Sequence, residues 1–366
     1  MKIKFNDLYS LHKPIEQDLI RAFKKCIRQS SFIGGQEVTK FENNFKRLNQ
    51  SKYCVSCGNG SDALVIAIKA LGIKPGDEII TTAFSWIATS AAITMAGGKV
   101  DFCDIEKDGF NIDPEQIRKK ITKRTVGIIP VHLYGIPADM EKIMKIAKKY
   151  KLWVIEDCAQ AHLAAIKGKK IGNFGKFGTF SFFPGKNLGA LGDAGCLVTN
   201  NKKLANKARL IANHGGKGKH LLEGTNSRMD TIQAGFLNIK IKDIEHQTQK
   251  RINNAKLYNS LLNNIQKIKK PIVNKQFKLV YHQYTIRAKN RNKLKEYLEK
   301  KNIETQIHYK QPLVAMKAYK YLNLDVKKNF PVANKTTKEI LCLPISTDKT
   351  KKQIEYTAKI ISEFYK

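Results

Sequence analysis

The spacing of apolar and polar positions divides the chain into two parts. From about residue 50 to about residue 215, short apolar runs alternate with amphipathic segments, a pattern typical of an α/β sheet with helices on its faces. Two runs, 126–131 and 152–155, are continuously apolar, as expected for strands buried on both faces. After about residue 240, longer Lys-rich segments indicate a smaller α+β domain. We therefore predict a large domain over residues 1–240, with an N-terminal segment able to pack on the small domain, and a small domain over residues 241–366.

The individual elements follow from the same periodicity and from the residues at their ends. Asp113 and Pro114 supply an N-cap and a proline at the first helical position, and Gly72 provides a helix stop. The predicted strands are 53–56, 78–82, 99–105, 126–134, 152–157, 179–183, 195–199, 279–287 and 303–309. The predicted helices are 61–71, 115–121, 139–150, 292–301 and 351–365.

The chain is strongly basic, with 66 Lys and Arg against 31 Asp and Glu and a formal net charge of +35. Taken alone, this charge would favour nucleic acid or a membrane surface as a partner. The lysines, however, stand singly or in short groups that are not interleaved with aromatic residues, and no apolar run approaches the length of a membrane span. We therefore expect solvated lysine faces, and neither nucleic acid nor a membrane as a partner. Such a surface would still attract a nucleotide diphosphate.

The cysteines bear on compartment and on metal binding. Seven cysteines, an odd number, are scattered along a chain whose start lacks the apolar core of a signal peptide, which is typical of reduced thiols in the cytoplasm. Cys54 and Cys57 have the spacing of a redox pair or of half a zinc site, but no second pair or nearby histidine completes one. We predict no metal.

Two segments end in residues suited to ligand binding. The first, 56–64, is a glycine-rich turn between a strand and a helix. Such a turn aims free backbone N–H groups and the positive end of a helix at one point, which suits a phosphate, although an ordinary capped turn has the same composition. The second ends a buried strand at Asp157, where α/β folds place ligands and where a carboxylate could hold a protonated pyridine nitrogen. An aspartate that only caps the following segment is the alternative.

A third segment places Lys186 directly after an aromatic strand, in a loop rich in glycine. A lysine in that setting does not belong to a solvated helix face. Desolvation can remove its proton and leave a nucleophilic amine able to form an imine. In so Lys-rich a chain, the residue type alone does not distinguish Lys186 from the other lysines, and the setting has to do so.

Five motifs occur together and in order along the chain. They are 60–64 (GSDAL), 156–161 (EDCAQA), 181–189 (SFFPGKNLG), 226–230 (NSRMD) and 307–309 (IHY). Their order and spacing resemble those of sugar aminotransferases of the DegT/DnrJ/EryC1/StrS family, from residue 32 to residue 345. The resemblance implies the type I fold of aminotransferases that depend on pyridoxal 5'-phosphate (PLP), which is an α/β fold with a mixed, mostly parallel sheet flanked by helices and a smaller C-terminal α+β domain. It also implies a homodimer whose subunits share their active sites.

The resemblance also implies roles for individual residues. Lys186 forms the imine with PLP and moves the proton during catalysis, and Asp157 pairs with the pyridinium nitrogen. The other implied cofactor contacts are Gly60, Ser61 and Ser181 at the phosphate, Asn226 reaching that phosphate from the other subunit, Gln160 at the phenolic oxygen and Trp86 stacked on the ring. His308 and Tyr309 fall near the sugar, although a strand end in the small domain is the alternative reading of both.

The implied reaction converts a nucleotide-linked (dTDP or UDP) keto-sugar to the amino-sugar, with L-glutamate as amino donor, in amino-sugar biosynthesis such as that of lipopolysaccharide O-antigen. Lys186 favours transamination, because relatives that dehydrate carry histidine at its position. The loop 184–190 resembles relatives that aminate carbon 3 (C3) of the sugar more than those that act at carbon 4 (C4). A C4 aminotransferase acting on a 4-keto-6-deoxy sugar and a non-catalytic PLP-binding regulator stay open as alternatives. A nucleotide-dependent oxidoreductase would require a Gly-x-Gly-x-x-Gly turn after the first strand, which the chain lacks.

Two positions depart from the family pattern. Leu163 follows His162 where relatives more often have glycine, and Thr225 stands where an aromatic residue is common. We expect a different local backbone at the first position and altered substrate contacts near the second.

Overall fold

The computed structural model describes residues 1–272 and 274–366. Its α-helices are α1 (Leu8–His12), α2 (Glu16–Arg28), α3 (Gly35–Leu48), α4 (Gly60–Ala70), α5 (Ala88–Met95), α6 (Pro114–Lys120), α7 (Met140–Lys149), α8 (Lys202–Ala212), α9 (Thr231–Lys240), α10 (Ile244–Leu261), α11 (Arg291–Lys300), α12 (Val326–Asn329), α13 (Pro331–Glu339) and α14 (Lys351–Tyr365). Its strands are β1 (Tyr53–Cys57), β2 (Glu78–Thr82), β3 (Lys99–Cys103), β4 (Thr125–Ile129), β5 (Trp153–Asp157), β6 (Ala165–Ile166), β7 (Lys169–Lys170), β8 (Phe177–Ser181), β9 (Gly195–Thr199), β10 (Ile268–Lys269), β11 (Phe277–Lys278), β12 (Tyr284–Ala288) and β13 (Ile340–Leu343).

The central sheet has the strand order β1-β9-β8-β5-β4-β2-β3. Strands β3, β2, β4, β5 and β8 run parallel, whereas β9 runs antiparallel to both of its neighbours, β8 and β1. Successive apolar residues of one strand enter different cores: Ile128 packs with α6 and α7, and Ile129 packs with α4 and α5. Because both faces are covered, the parallel strands have no polar face, which explains the continuous apolar runs in the sequence.

Two predicted strands, 126–134 and 279–287, are longer than the observed ones, and a contact between the two segments explains both differences. Strand β4 ends at Ile129, and the chain then turns through Tyr134 with a positive φ of 59° instead of continuing as a strand to residue 134. Residues 279–283 likewise lie outside β12. Here Val280 N–H donates to the Gly135 carbonyl at 3.0 Å and Gln283 N–H donates to the Tyr134 carbonyl at 3.3 Å. The two segments are therefore irregular turns that pack against each other, and their apolar residues do not belong to strands.

The segment 303–309, which we also predicted as a strand, contributes only isolated bridges, from Ile303 to Ile3 and from Gln306 to Cys342. The C-terminal part of the chain forms a second sheet, with the order β10-β12-β13, which packs with α10, α11 and α14 around its own apolar core. Ile3 is fully buried in that core. The predicted domain boundary between residues 240 and 241 stays a prediction. Among the described residues, no helix is both long and apolar enough to cross a membrane.

A buried carboxylate fixes the end of the strand that carries Asp157. Glu156 is fully buried in β5, and it accepts hydrogen bonds from three backbone N–H groups of the 172–175 loop at 2.7–2.8 Å. His132 Nε2 lies 3.2 Å from the same carboxylate, while its Nδ1 accepts from the Ala138 N–H. A buried carboxylate is tolerated when its oxygens are saturated in this way. The network holds β5 in place at the point where the sheet meets the site.

Candidate active site

Asp157 ends β5 and points its carboxylate to the edge where the parallel strands finish. The side chain is 5% exposed. Its Oδ2 accepts from the Thr89 hydroxyl of α5 at 2.8 Å, and its Oδ1 accepts from the Ala159 N–H at 3.1 Å. Both donors fix the orientation of the carboxylate. An oriented carboxylate therefore lies at this edge of the sheet.

Lys186 lies in the loop that follows β8. Burial lowers the pKa of its amine to about 8, and the nearby Asp157 carboxylate opposes that shift. Within the part of the chain that the structure describes, the amine forms no salt bridge. The loop is held from two sides, because Asn187 Nδ2 donates to the Val280 carbonyl at 3.2 Å and the Lys240 ammonium donates to the Gly189 carbonyl. A restrained, partly deprotonated amine is a nucleophile at neutral pH.

The turn before α4, residues 58–62, forms a cradle of backbone N–H groups. Helix α4 begins at Gly60 and is capped by Asn59, whose side chain accepts from the Asp62 N–H at 2.8 Å; the predicted start at Ser61 is therefore one residue late. Gly60 approaches Ser181 so closely that an added Cβ would lie 2.5 Å from the Ser181 Cβ. Gly60, the exposed Ser61 and the end of β8 therefore meet at the positive end of a helix, where an anion is favoured.

Gln160 links two segments that are distant in sequence. Its Oε1 accepts from the Tyr134 N–H at 2.8 Å, and its Nε2 donates to the Tyr309 hydroxyl at 3.1 Å. The Trp86 ring lies 5.8 Å from the Tyr309 ring and is 57% exposed. Gln160, Tyr309 and Trp86 thus form one wall beside Asp157.

Asn226 is the neighbour of Ser227, whose side chain contacts the turn at residues 58–62 (the phosphate turn). Along residues 226–229, Asn226 and Arg228 are exposed while Ser227 and Met229 are buried, as expected for an extended segment. The Ser227 hydroxyl donates to the Asp62 carboxylate at 2.6 Å and accepts from the Gly58 N–H at 3.0 Å. The Asn226 side chain is exposed, and among the described residues it has no hydrogen-bond partner.

A family model for the DegT/DnrJ/EryC1/StrS aminotransferase family matches residues 13–362. The chain belongs to this family. The prediction of a sugar aminotransferase family is therefore confirmed, and the chain is classed as a transaminase rather than an oxidoreductase.

Curated relatives in the family match nearly the whole chain. The chain is 41% identical to the "Pleiotropic regulatory protein" of Geobacillus stearothermophilus, covering 100% of this chain and 99% of the relative. It is 38% identical to the UDP-2-acetamido-2-deoxy-3-oxo-D-glucuronate aminotransferase of Pseudomonas aeruginosa, covering 94% and 95%. It is also 38% identical to the dTDP-3-amino-3,6-dideoxy-alpha-D-galactopyranose transaminase of Aneurinibacillus thermoaerophilus, covering 99% of each.

Solved structures in the family have the same fold. DesV of S. venezuelae, crystallised in complex with a ketimine intermediate, superposes with a TM-score of 0.97 at 32% identity, covering 100% of this chain and 99% of that one. The Bacillus subtilis structure titled "ntda", with bound cofactor PMP, superposes with a TM-score of 0.90 at 30% identity, covering 99% and 85%. The predicted α/β aminotransferase fold is confirmed.

At one departure from the family pattern, the backbone adopts a conformation that suits glycine, so the structure does not show the different local backbone expected there. Leu163, at the position where relatives more often have glycine, adopts a positive φ of 69° and is 2% exposed. A left-handed conformation disfavours a branched side chain. The backbone therefore keeps a conformation suited to glycine, and burial of the leucine side chain offsets the strain.

Sequence reasoning missed three residues that contact the site. Thr89 holds Asp157, Tyr134 holds Gln160 through its N–H, and Gln283 contacts the His308 ring at 2.6 Å. Thr89 stands in a helix rich in Ala, Ser and Thr, where nothing in the sequence marks it. The other two lie in segments that we predicted as strands. Because each partner is distant in sequence, single-sequence periodicity carries no signal for these contacts.

Proposed function

We propose that the chain is a PLP-dependent aminotransferase that converts a nucleotide-linked 3-keto-sugar to the 3-amino-sugar. The observation that carries the proposal is the convergence of the buried Lys186 amine with the Asp157 carboxylate at one edge of the sheet. Imine chemistry at a pyridine ring requires an unprotonated amine at one end and a fixed anion at the other. No catalytic role for another lysine is needed.

The residues present fit PLP. The phosphate turn offers backbone N–H groups at the start of α4, and the absence of a Cβ at Gly60 leaves space against Ser181. Ser61 and Ser181 add hydroxyl groups, and Gln160 and Trp86 line the space between the turn and Asp157. An aldehyde cofactor with a phosphate and a pyridine nitrogen has one matching partner for each of these groups.

When bound, PLP supplies an electron sink for the bond broken at the substrate carbon. Asp157 would pair with the ring nitrogen of the bound cofactor and keep a proton there, with Thr89 and Ala159 fixing the carboxylate. The Lys186 amine would carry the proton to and from the substrate carbon, because its pKa of about 8 leaves part of it unprotonated at neutral pH. Lys240 and Asn187 restrain the loop and so would keep the Lys186 amine close to the substrate carbon.

The substrate assignment rests on the family and on charge. The Pseudomonas aeruginosa relative is named for a 3-oxo sugar on UDP, and the Aneurinibacillus relative for a 3-amino sugar on dTDP. These names favour amination at C3 over C4, while both nucleotides stay open. A net charge of +35 draws a nucleotide diphosphate to the surface. We propose L-glutamate as amino donor and His308 and Tyr309 as residues near the sugar.

We also propose that the enzyme is a homodimer with shared sites. The proposal is supported by the exposure of Asn226, which precedes Ser227, the residue that contacts the turn at residues 58–62. Three apolar side chains of α2, Ile20, Phe23 and Ile27, are 39–50% exposed and would be covered by such a copy. All seven cysteines are free and buried, which agrees with a reducing compartment such as the cytoplasm.

The test begins with borohydride reduction of the holoenzyme, followed by peptide mass spectrometry. We expect the reduced cofactor on Lys186 only. Each half-reaction is then followed at the imine absorbance band, with 3-keto and 4-keto sugars on both UDP and dTDP. Turnover of a 3-keto-sugar with the 4-keto-sugar inactive supports the proposal. A label on another lysine, or faster reaction of a 4-keto-sugar, contradicts it.

A further inference from the structure

The His308 ring is held by Gln283, a residue outside the motifs described above. Gln283 Nε2 lies 2.6 Å from His308 Nδ1, and Gln283 is 7% exposed. The Tyr134 hydroxyl donates to the His308 carbonyl, so both the ring and the backbone of this residue are fixed. The Phe5 ring contacts the imidazole edge-on at 6.1 Å between centroids. Contacts to the ring and to the backbone therefore both restrain His308.

The other end of the Gln283 amide determines which of its atoms faces His308. The Cys342 thiol donates to Gln283 Oε1 at 3.0 Å, and the Thr285 hydroxyl lies 3.2 Å from the Cys342 sulfur. Burial raises the pKa of Cys342 to about 11, so its sulfur keeps the proton that it donates. With the thiol as donor, the amide oxygen is its acceptor, and the amide NH₂ faces the imidazole.

An amide NH₂ can only donate, so His308 Nδ1 must accept and the proton of the neutral ring must sit on Nε2. We infer that Gln283 is a positioning residue that fixes His308 in the tautomer with Nε2–H, so that His308 donates a hydrogen bond to an oxygen of the keto-sugar. This inference rests on the proposed function. It predicts that the sugar half-reaction depends on Gln283, whereas the amino-donor half-reaction does not.

The charge environment supports a neutral ring. Burial, and then the Lys186 charge, lower the pKa of His308 below its ordinary value. The charges of Lys186 and His282 act on the ring, and Tyr309 lies beside it at 5.5 Å between centroids, while Tyr134 and Cys342 contact the His308 backbone. Among the described residues no carboxylate forms a hydrogen bond with the ring, so its hydrogen bond to the Gln283 amide sets the tautomer.

Three variants of the holoenzyme test the inference. Gln283→Met keeps the volume but removes the donor, and should lower kcat/KM of the keto-sugar half-reaction about tenfold, the usual loss for one hydrogen bond to a substrate. In Gln283→Glu the carboxylate should accept a hydrogen bond from Nδ1–H of His308. At low pH the charged ring also carries the Nε2 proton, and activity should be near that of the wild type. As pH rises the ring loses the Nε2 proton and keeps the Nδ1 proton, so activity should fall. Gln306→Leu, an exposed residue two positions before His308, is the matched control and should leave both half-reactions unchanged.

A double-mutant cycle separates positioning from general damage to the fold. In a His308→Gln background, Gln283→Met should cause no further loss, because the ring it positions is gone. Calorimetric binding of the nucleotide-linked amino-sugar to the holoenzyme should repeat the pattern without turnover. If the wild type does not aminate a nucleotide-linked sugar, the proposed function fails. If the wild type does so and Gln283→Met behaves like Gln306→Leu, or if the losses at 283 and 308 add, the inference fails. Should Gln283→Met not fold, the pH profile of Gln283→Glu decides.

Discussion

The buried Lys186 amine should destabilise the cofactor-free protein, and Lys186→Met should therefore stabilise it. Burial lowers the Lys186 pKa from 10.5 to about 8. At about 1.4 kcal/mol for each pKa unit, the folded state holds the protonated amine at a cost of about 3 kcal/mol relative to the unfolded chain. Below pH 8 this cost is fully present. Methionine, of similar length and without charge, removes it.

The pKa shift of Lys186 also determines how the free energy of unfolding changes with pH. Between pH 8 and pH 10.5 the unfolded chain binds the proton that the folded chain has lost, so the stability of the wild type rises with pH in this window. Lys186→Met has no such group. The advantage of the variant should therefore be about 3 kcal/mol at pH 7 and should disappear by about pH 10.5.

The assay is urea unfolding of the cofactor-free protein at a series of pH values, followed by circular dichroism. Lys310→Met is the matched control, because Lys310 is exposed beside Tyr309, and its unfolding free energy should change little. Most other titrating groups are common to all three proteins and cancel in the differences. The exceptions are His162, His282 and His308, whose pKa values the Lys186 charge lowers, so the comparison is made at pH 7 and above, where these rings are neutral. A Lys186→Met variant that is no more stable than the wild type at pH 7, or whose advantage does not change with pH, would refute the desolvation of Lys186.

Three further predictions concern retention of the cofactor. Thr89→Val removes the hydroxyl donor to the carboxylate at the end of β5 and should weaken PLP binding by about 2 kcal/mol, whereas Thr94→Val on the exposed side of the same helix should not; equilibrium dialysis distinguishes them. Gly60→Ala should crowd the phosphate turn and release PLP during dialysis, while Gly235→Ala, whose added Cβ meets a neighbour at an ordinary 3.7 Å, should retain it. Asn226→Ala should weaken PLP binding in the opposite subunit's site, and mixed dimers in which the defect follows the same subunit would contradict a shared site.

The large sheet could be read from the sequence because its signals are local. Five continuous residues of β2, 78–82, were predicted with their observed bounds, as was α14 at residues 351–365. Strands β1, β5 and β9 were located to within one residue. In each of these elements the apolar period and a cap or turn agree, so that neighbouring residues contain enough information to fix type and limits.

The contacts that complete the site could not be read in the same way. The order of the motifs identified the family, and with it the expected positions of Lys186 and Asp157. The hydroxyl of Thr89 and the amide of Gln283 act on partners 68 and 25 residues away, and neither has a local sequence signal. The same limitation explains the strand predicted at 303–309. Its residues alternate as in a strand, but they form only isolated bridges with distant segments.

The failure of the strand prediction at 279–283 bears on function. A strand there would send alternate side chains to opposite faces of a sheet. In the irregular turn, the carbonyl of Val280 instead accepts from Asn187, next to Lys186, while the Gln283 side chain reaches His308. One short segment thus holds both the loop of the reactive amine and the ring proposed to face the sugar. In a regular strand the Val280 carbonyl would be directed at a neighbouring strand of the sheet, so the local irregularity leaves it free to hold the loop of Lys186.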